Sequence, residues 1–405
     1  MLMQCMLICL LVLVVVLAGV RPAACADDFF ALMAWDYVDN EATLKSMHDC
    51  GINSVAFVRP DMLDACARHG IKGIVIDNRV GTAFGELFNS DRACAALPEL
   101  ISKYGKHPAL YGYHLRDEPG PEQFDALGKA VAFIKEHNPG KWPYICNYPG
   151  FGDDYVKLLE DYVTRVKPTI ICYDNYPLTA DGAFSWGFWA NIADVRSVAL
   201  KHKLPFHTIV LTATHWGYGE VTQDKLRLEI YGSLVYGAKG IGYYKFCSCS
   251  VACLNAPDLG NFRDGPLDQF GEPTQTWHWL RNLNRQVHNL APTLLKLRSD
   301  DVYHFGDVPE RNHGPGERSL VKALPGGTEW IVGEFTHQDG SKWVMIVNKD
   351  LKSSHCGTVE FSIPVKEVQY LSPVTGKLSV YPLPYYYLAP GQGVLLKLVG
   401  APEEK

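Results

Sequence analysis

The 405-residue chain has no lysine- or arginine-rich run, and its formal net charge is −6. It therefore lacks the electrostatic footprint of a nucleic-acid-binding surface. Beyond the first 26 residues no apolar stretch is long enough to span a bilayer, because a spanning helix needs about 20 consecutive apolar residues. Internal repeats and low-complexity tracts are absent, so neither a repeat architecture nor a compositionally biased, disordered chain is expected. A phosphate loop, a Ser–His–Asp signature and an HExxH run are also missing. Nucleotide-dependent, triad-based and zincin-type chemistry thus have no support in the sequence.

What is present begins with an apolar segment over residues 6–20, broken by Arg21-Pro22. Ala24-Cys25-Ala26 then places small residues at the two positions a signal peptidase reads. Residues 1–26 are read as a signal peptide cleaved after Ala26. The mature chain is expected to be secreted or periplasmic, without stable membrane insertion. Of the 12 cysteines, Cys5, Cys9 and Cys25 leave with that segment, and the nine that remain are an odd number. At least one free thiol follows in an exported protein. Cys247, Cys249 and Cys253 fall within one short stretch. Three sulfurs without a regularly spaced fourth ligand are a poor zinc site. A loop-stapling disulfide is expected from this group, with no functional metal and no cofactor.

Apolar residues make up 47% of the chain and charged residues 20%, enough to bury a large core. Short apolar runs at 29–36, 53–58, 71–77, 109–116, 143–148, 169–175, 206–212 and 240–246 are each followed by an amphipathic stretch. Eight strand-then-helix units in a row predict a closed (β/α)8 TIM barrel, an α/β fold, over residues 27–295. Gly51, Gly70, Gly105, Gly140 and Gly237 follow helical stretches, where a left-handed terminal residue is wanted. The competing open, doubly wound sheet needs a glycine-rich turn after its first strand. Trp35-Asp36-Tyr37-Val38-Asp39 is nothing like one. Past the barrel, helical periodicity gives way to short alternating strands. Segments 329–337 and 342–348 flank Gln338-Asp339-Gly340, a hairpin signal. Residues 296–405 are read as a small all-β sandwich domain.

In such a barrel the chemistry sits at the C-terminal ends of the strands. Those ends carry Trp35 and Asp36, then Asp77, then Arg116, Asp117 and Glu118. Asn147 and Tyr148 follow, then Asp174 and Tyr176, then His215, Trp216 and Glu220, and last Tyr244. Carboxylates from different strands suit a paired acid and base, and flat aromatic faces suit the C–H faces of a sugar ring. Strand alternation places Gly112, His114, Arg116 and Glu118 on one face and Tyr111, Tyr113, Leu115 and Asp117 on the other. The second set is bulkier and more apolar. Glu118 is therefore expected to face the pocket, and Asp117 the helix layer.

The run Tyr111-Gly112-Tyr113-His114-Leu115-Arg116-Asp117-Glu118-Pro119 resembles the fourth strand of clan A glycoside hydrolases. There Asn-Glu-Pro is the usual ending and the Glu is the general acid/base. The Asp-Glu-Pro form, with Asp117 in place of Asn, looks like that of bacterial barrel proteins related to the clan. Residues 343–348 and 390–396 are similar to the β-sandwich appendages of many glycosidases. The resemblance implies Glu118 as general acid/base and a retaining O-glycosyl hydrolase acting on a poly- or oligosaccharide.

The chain departs from the clan at the nucleophile. The clan carries a Glu at the end of the seventh strand, where this chain has Thr212, Ala213, Thr214 and His215. Glu220, in the following loop, and Asp174, on the sixth strand end, are the two candidates. Arg116, Asn147, Tyr148, Tyr176, Trp35, Trp216 and Tyr244 are expected to bind substrate, and Asp36 and Asp77 its hydroxyls. A non-catalytic carbohydrate-binding protein on the same barrel is the alternative, carried by the weak seventh strand. A lyase or esterase on this fold is a third reading, because fold alone does not separate them.

Overall fold

A computed structural model describes residues 29–81, 86–247, 260–380 and 385–402. The signal-peptide reading of residues 1–26 falls outside them. Strands β1 (Ala31–Val38), β2 (Ser54–Val58), β3 (Lys72–Val75), β4 (Leu110–Asp117), β5 (Trp142–Asn147), β6 (Ile171–Asp174), β7 (Phe206–Leu211) and β8 (Gly240–Tyr244) pair in chain order. β8 returns in parallel to β1, so the sheet closes and the open-sheet alternative is excluded. Between and after the strands run α1 (Glu41–Asp49), α2 (Leu63–Arg68), α3 (Ser90–Tyr104), α4 (Phe124–His137), α5 (Asp153–Val166), α6 (Gly187–His202), α7 (Gln223–Val235) and α8 (Gln275–Leu294). No described helix is long and apolar enough to cross a membrane.

Side-chain alternation sorts the strand residues into two cores. Met33, Ala56, Ile74, Tyr144, Cys172 and Ile209 fill the barrel interior. Leu32, Val55, Val75, Ile145, Ile171 and Val210 meet the apolar stripes of the helices instead. Gly51 and Gly237 close α1 and α7 with φ of 82° and 94°, a left-handed turn that glycine takes without a Cβ penalty. Gly105 departs from that expectation, with φ −57° after α3. A Cβ there would meet the Ile101 carbonyl oxygen at 2.5 Å, so close approach, not handedness, selects glycine.

The chain after α8 is all β. β9 (Leu297–Phe305), β11 (Trp330–His337), β12 (Lys342–Asn348), β15 (Glu367–Leu371), β16 (Leu378–Val380) and β18 (Gly393–Val399) form one sheet in the order β16-β15-β18-β12-β11-β9. Its pairings are antiparallel, and β11–β12 is the hairpin expected around Gly340. Two small pairs, β10 (Val321–Ala323) with β14 (Glu360–Phe361) and β13 (His355–Gly357) with β17 (Tyr386–Leu388), complete the region. Val321 and Leu388 from these pairs pack with Trp330, Val344 and Leu396 on one face of the sheet.

The other face joins the barrel core through Ile331, Phe335, Met345 and Leu395. Helix α7 lies between barrel and sheet, and each of its residues from 228 to 235 is buried. A helix buried on all sides shows no apolar stripe. The contact is backbone-close: a Cβ on Gly333 would stand 2.2 Å from the Val235 carbonyl oxygen.

Candidate active site

The fourth strand does not keep simple alternation. His114 pairs with Tyr144, but Arg116 pairs with Ile145 and Asp117 with Cys146, leaving Leu115 as an extra residue. A bulge of this kind shifts the phase of everything after it. Leu115 and Ile145 belong to the helix-facing layer, whereas Cys146 belongs to the barrel interior. Asp117 therefore turns into the mouth of the barrel, contrary to the expectation that it faces the helices. Glu118 reaches the same cleft by a second device. Its amide donates to the Cys146 carbonyl at 2.7 Å, and its φ is 47°. Holding a non-glycine residue in the left-handed region costs on the order of 1–3 kcal/mol and is concentrated at functional sites. Neither acid caps the helix that follows, since the turn at Pro121–Gln123 and α4 both start without a side-chain cap.

A cleft of about 300 Å³ opens here, and Asp117, Glu118 and Asp174 all line it. Asp174 comes from the end of β6. The three carboxyls feel one another. Asp117 is pushed up to about 8, first by burial and then by the charges of Asp174 and Glu118, with Arg116 acting against the rise. Asp174 is pushed up to about 7 by burial and by Glu118, partly offset by the Tyr176 hydroxyl. Glu118 is solvent-exposed at the rim, and partial desolvation still raises it above the usual range while Arg116 lowers it. Neighbouring buried like charges are costly, so Asp117 and Asp174 hold their protons to higher pH than an ordinary carboxyl does.

The walls are aromatic. Trp35, Tyr176, Trp216 and Tyr244 line the cleft as expected from the sequence, and Pro149, His215, Tyr218 and Cys146 line it as well. Tyr176 stacks on Tyr244 at 5.3 Å, and Trp35 meets Tyr244 edge-on at 5.1 Å. Trp216 is 65% exposed at the rim. His215 stacks on Phe262 at 4.5 Å, and its Nδ1 donates to the Ala213 carbonyl at 2.8 Å. Burial holds its pKa below the usual histidine value. With Nδ1 as the donor, Nε2 of the uncharged ring is an acceptor.

Several expected site residues are engaged elsewhere. Asp36 is buried, accepts from the amides of Tyr37 and Cys247, and sits 3.7 Å from Lys245. It ties β1 to the end of β8. Asp77 is held by Arg79, which also pairs with Glu99. Asn147 donates to the Cys172 carbonyl across to β6. Arg116 falls in register with helix-facing Ile145 and acts on the acids through its charge. Tyr148 stands outside the lining, and burial, then the charges of Glu122 and Glu118, raise its phenol. Glu220 is exposed and does not line the cleft. Its loop is tied to the β6 side by the Gly219 amide on the Leu178 carbonyl at 2.9 Å, which turns the next residue outward. Of the two nucleophile candidates, the fold brings only Asp174 to Glu118.

Asp117, Cys146, Pro149, His215 and Tyr218 line the cleft beyond the residues the sequence reading placed there. His215 stands in the strand-end series but was passed over as an occupant of the missing glutamate's place. Asp117 was assigned by alternation, which a bulge defeats. Cys247 is a free thiol, as are Cys50, Cys66, Cys94, Cys146, Cys172 and Cys356. Cys249 and Cys253, the other members of the expected disulfide group, lie outside the described residues. Among the described residues no group of three or more His, Cys, Asp or Glu is arranged to hold a metal ion.

No protein-family model and no curated protein matches the chain. Solved structures do. A family 5 glycoside hydrolase from Bacteroides vulgatus superposes with a TM-score of 0.59 at 14% identity, over 92% of this chain and 89% of that one. A catalytic mutant of the GH42 β-galactosidase Gan42B from G. stearothermophilus gives 0.56 at 10% identity, over 91% and 98%. A β-galactosidase from the psychrophilic Marinomonas ef1 gives 0.51 at 11% identity over 67% of this chain, which spans only 62% of that enzyme. At these identities the likeness is one of fold: the chain folds as the TIM barrels of clan A glycoside hydrolases do, with β-sheets added at its C-terminus.

Proposed function

We propose that the chain is an exported glycoside hydrolase that cleaves O-glycosidic bonds in a neutral, β-linked oligo- or polysaccharide. The observation that carries this reading is the meeting of Asp117, Glu118 and Asp174 in one aromatic-walled cleft at the barrel mouth. Glycoside hydrolysis needs a protonated carboxyl for the leaving oxygen and an ionised one at the anomeric carbon or its water. Glu118, at the exposed rim, delivers the proton. Asp174, rigid on its strand end, faces the anomeric carbon. With the protons on Glu118 and Asp117, neither charge stands beside Asp174, whose carboxyl is then the one to ionise. Trp35, Tyr176, Tyr244 and Trp216 supply flat faces for sugar rings.

A panel of aryl glycosides and unsubstituted oligosaccharides tests the reading. Hydrolysis is expected, and proton NMR of the first-formed anomer then separates retention, with Asp174 as nucleophile, from inversion, with Asp174 activating water. Saturable saccharide binding without turnover would favour the carbohydrate-binding alternative, for which Thr212–His215 in place of a seventh-strand carboxylate is the supporting observation. Export is checked separately. Intact mass of the protein from an expressing host is expected to start at Asp27, and a mass that includes residues 1–26 contradicts it.

A further inference from the structure

A second cavity, of about 210 Å³, lies at the base of the barrel where β9 leaves α8. Four cationic side chains line it, Arg196 of α6, Lys203, Lys239 and Arg298, the last already paired with Asp300 at 2.8 Å, and no carboxylate does. Apart from Ser299 and Tyr236, the rest of its wall is apolar and includes Leu200, Leu204, Phe206 and Leu295. We propose that this cavity is a binding site for a small organic anion, a monocarboxylate with a short apolar body, distinct from the glycosidase cleft and independent of that assignment.

The charges are built in rather than scattered. Arg196 Nε donates to the Ser299 hydroxyl at 2.8 Å, while its Nη2 is buried without a protein partner. Lys239 Nζ donates to the Leu294 and Leu297 carbonyls at 2.5 Å, which leaves one of its three N–H groups. Lys203 is exposed at the mouth. Burial depresses both Arg196 and Lys239, Lys239 to about 8, and an anion in the cavity would offset that cost. Asp300 and Asp301 act on Arg196 from β9. Both have other cations, Asp300 with Arg298 and Lys342 and Asp301 with His313. Volume and walls set the ligand class. The cavity lies below the ~300–1,000 Å³ of drug-sized sites, and its largely apolar wall is ill-suited to a bare, strongly hydrated ion such as phosphate.

Calorimetric titration of the full chain with acetate, butanoate, hexanoate, hexanol and inorganic phosphate, at one ionic strength, tests this. One site per chain is expected for hexanoate. Affinity should rise about fourfold per methylene along the series, with hexanol and phosphate each at least tenfold weaker than hexanoate. Lys203→Glu, at the exposed left-handed cap of α6 where only the backbone is tied, should weaken hexanoate at least fivefold in a protein with native circular dichroism. Arg196→Gln should abolish binding in a protein with native circular dichroism. Hexanol binding as well as hexanoate, phosphate binding as tightly, Lys203→Glu binding like wild type, or no saturable binding would each overturn the proposal. None of these outcomes bears on glycoside hydrolysis.

Discussion

Asp117 shows how one side chain can carry a site and also burden the fold. An aspartate in an unfolded chain ionises near pH ~4, whereas burial and its acidic neighbours push Asp117 up to about 8. Between those values the folded chain holds a proton that the unfolded chain has released. Stability from this site therefore falls as pH rises through that window. Asp117→Asn keeps the shape and removes the penalty. Its melting temperature is expected to exceed the wild-type value by more at pH 8 than at pH 5, while hydrolysis is impaired. An equal shift at both pH values would show that Asp117 is not held protonated. Alternation points Glu118 to the pocket, but it reaches the cleft past the bulge and through a left-handed φ, a different cause. The place of Asp117 was not legible from the sequence, because alternation carries no sign of the extra residue at Leu115.

At the scale of elements, the eight units could be read because each carries its own local signal: an apolar run, then an amphipathic stretch. The hairpin at Gly340 was legible for the same reason, and its strands fall within a residue of the expected spans. What local signals lack is the docking of one element on another. Helix α7 carries Tyr231, which is buried, and Gly393 of β18 lies so close that a Cβ there would sit 2.5 Å from its ring. Nothing in the sequence of α7 announces a second partner beyond the barrel. Tyr231→Ala is expected to cost ~3–5 kcal/mol, as large aromatic truncations in cores do. Denaturant unfolding checks this, and a loss below ~1 kcal/mol would mean that α7 is not clamped between barrel and sheet. The outward place of Glu220 was illegible for the same reason, because the loop's anchor on Leu178 is a long-range contact.

For the whole molecule, closing the barrel brings the ends of β4 and β6 together at the mouth. Carboxyls 57 residues apart in the chain, Asp117 and Asp174, thereby come to act as one titrating cluster. The barrel could be read from its repeating units, but the choice of Asp174 over Glu220 depended on closure. The central claim is that this cluster hydrolyses glycosides with Glu118 as the proton donor. The most direct measurement compares wild type and Glu118→Gln on aryl glycosides of graded leaving-group pKa. Losing positioned proton transfer is expected to cost on the order of 10²–10⁴ in rate. In kcat/KM, which reports the glycosidic cleavage step, the loss should be greatest for the poorest leaving groups and nearly absent for activated ones. If Glu118→Gln hydrolyses every substrate at the wild-type rate, Glu118 is not the acid and the account of the fourth strand is wrong.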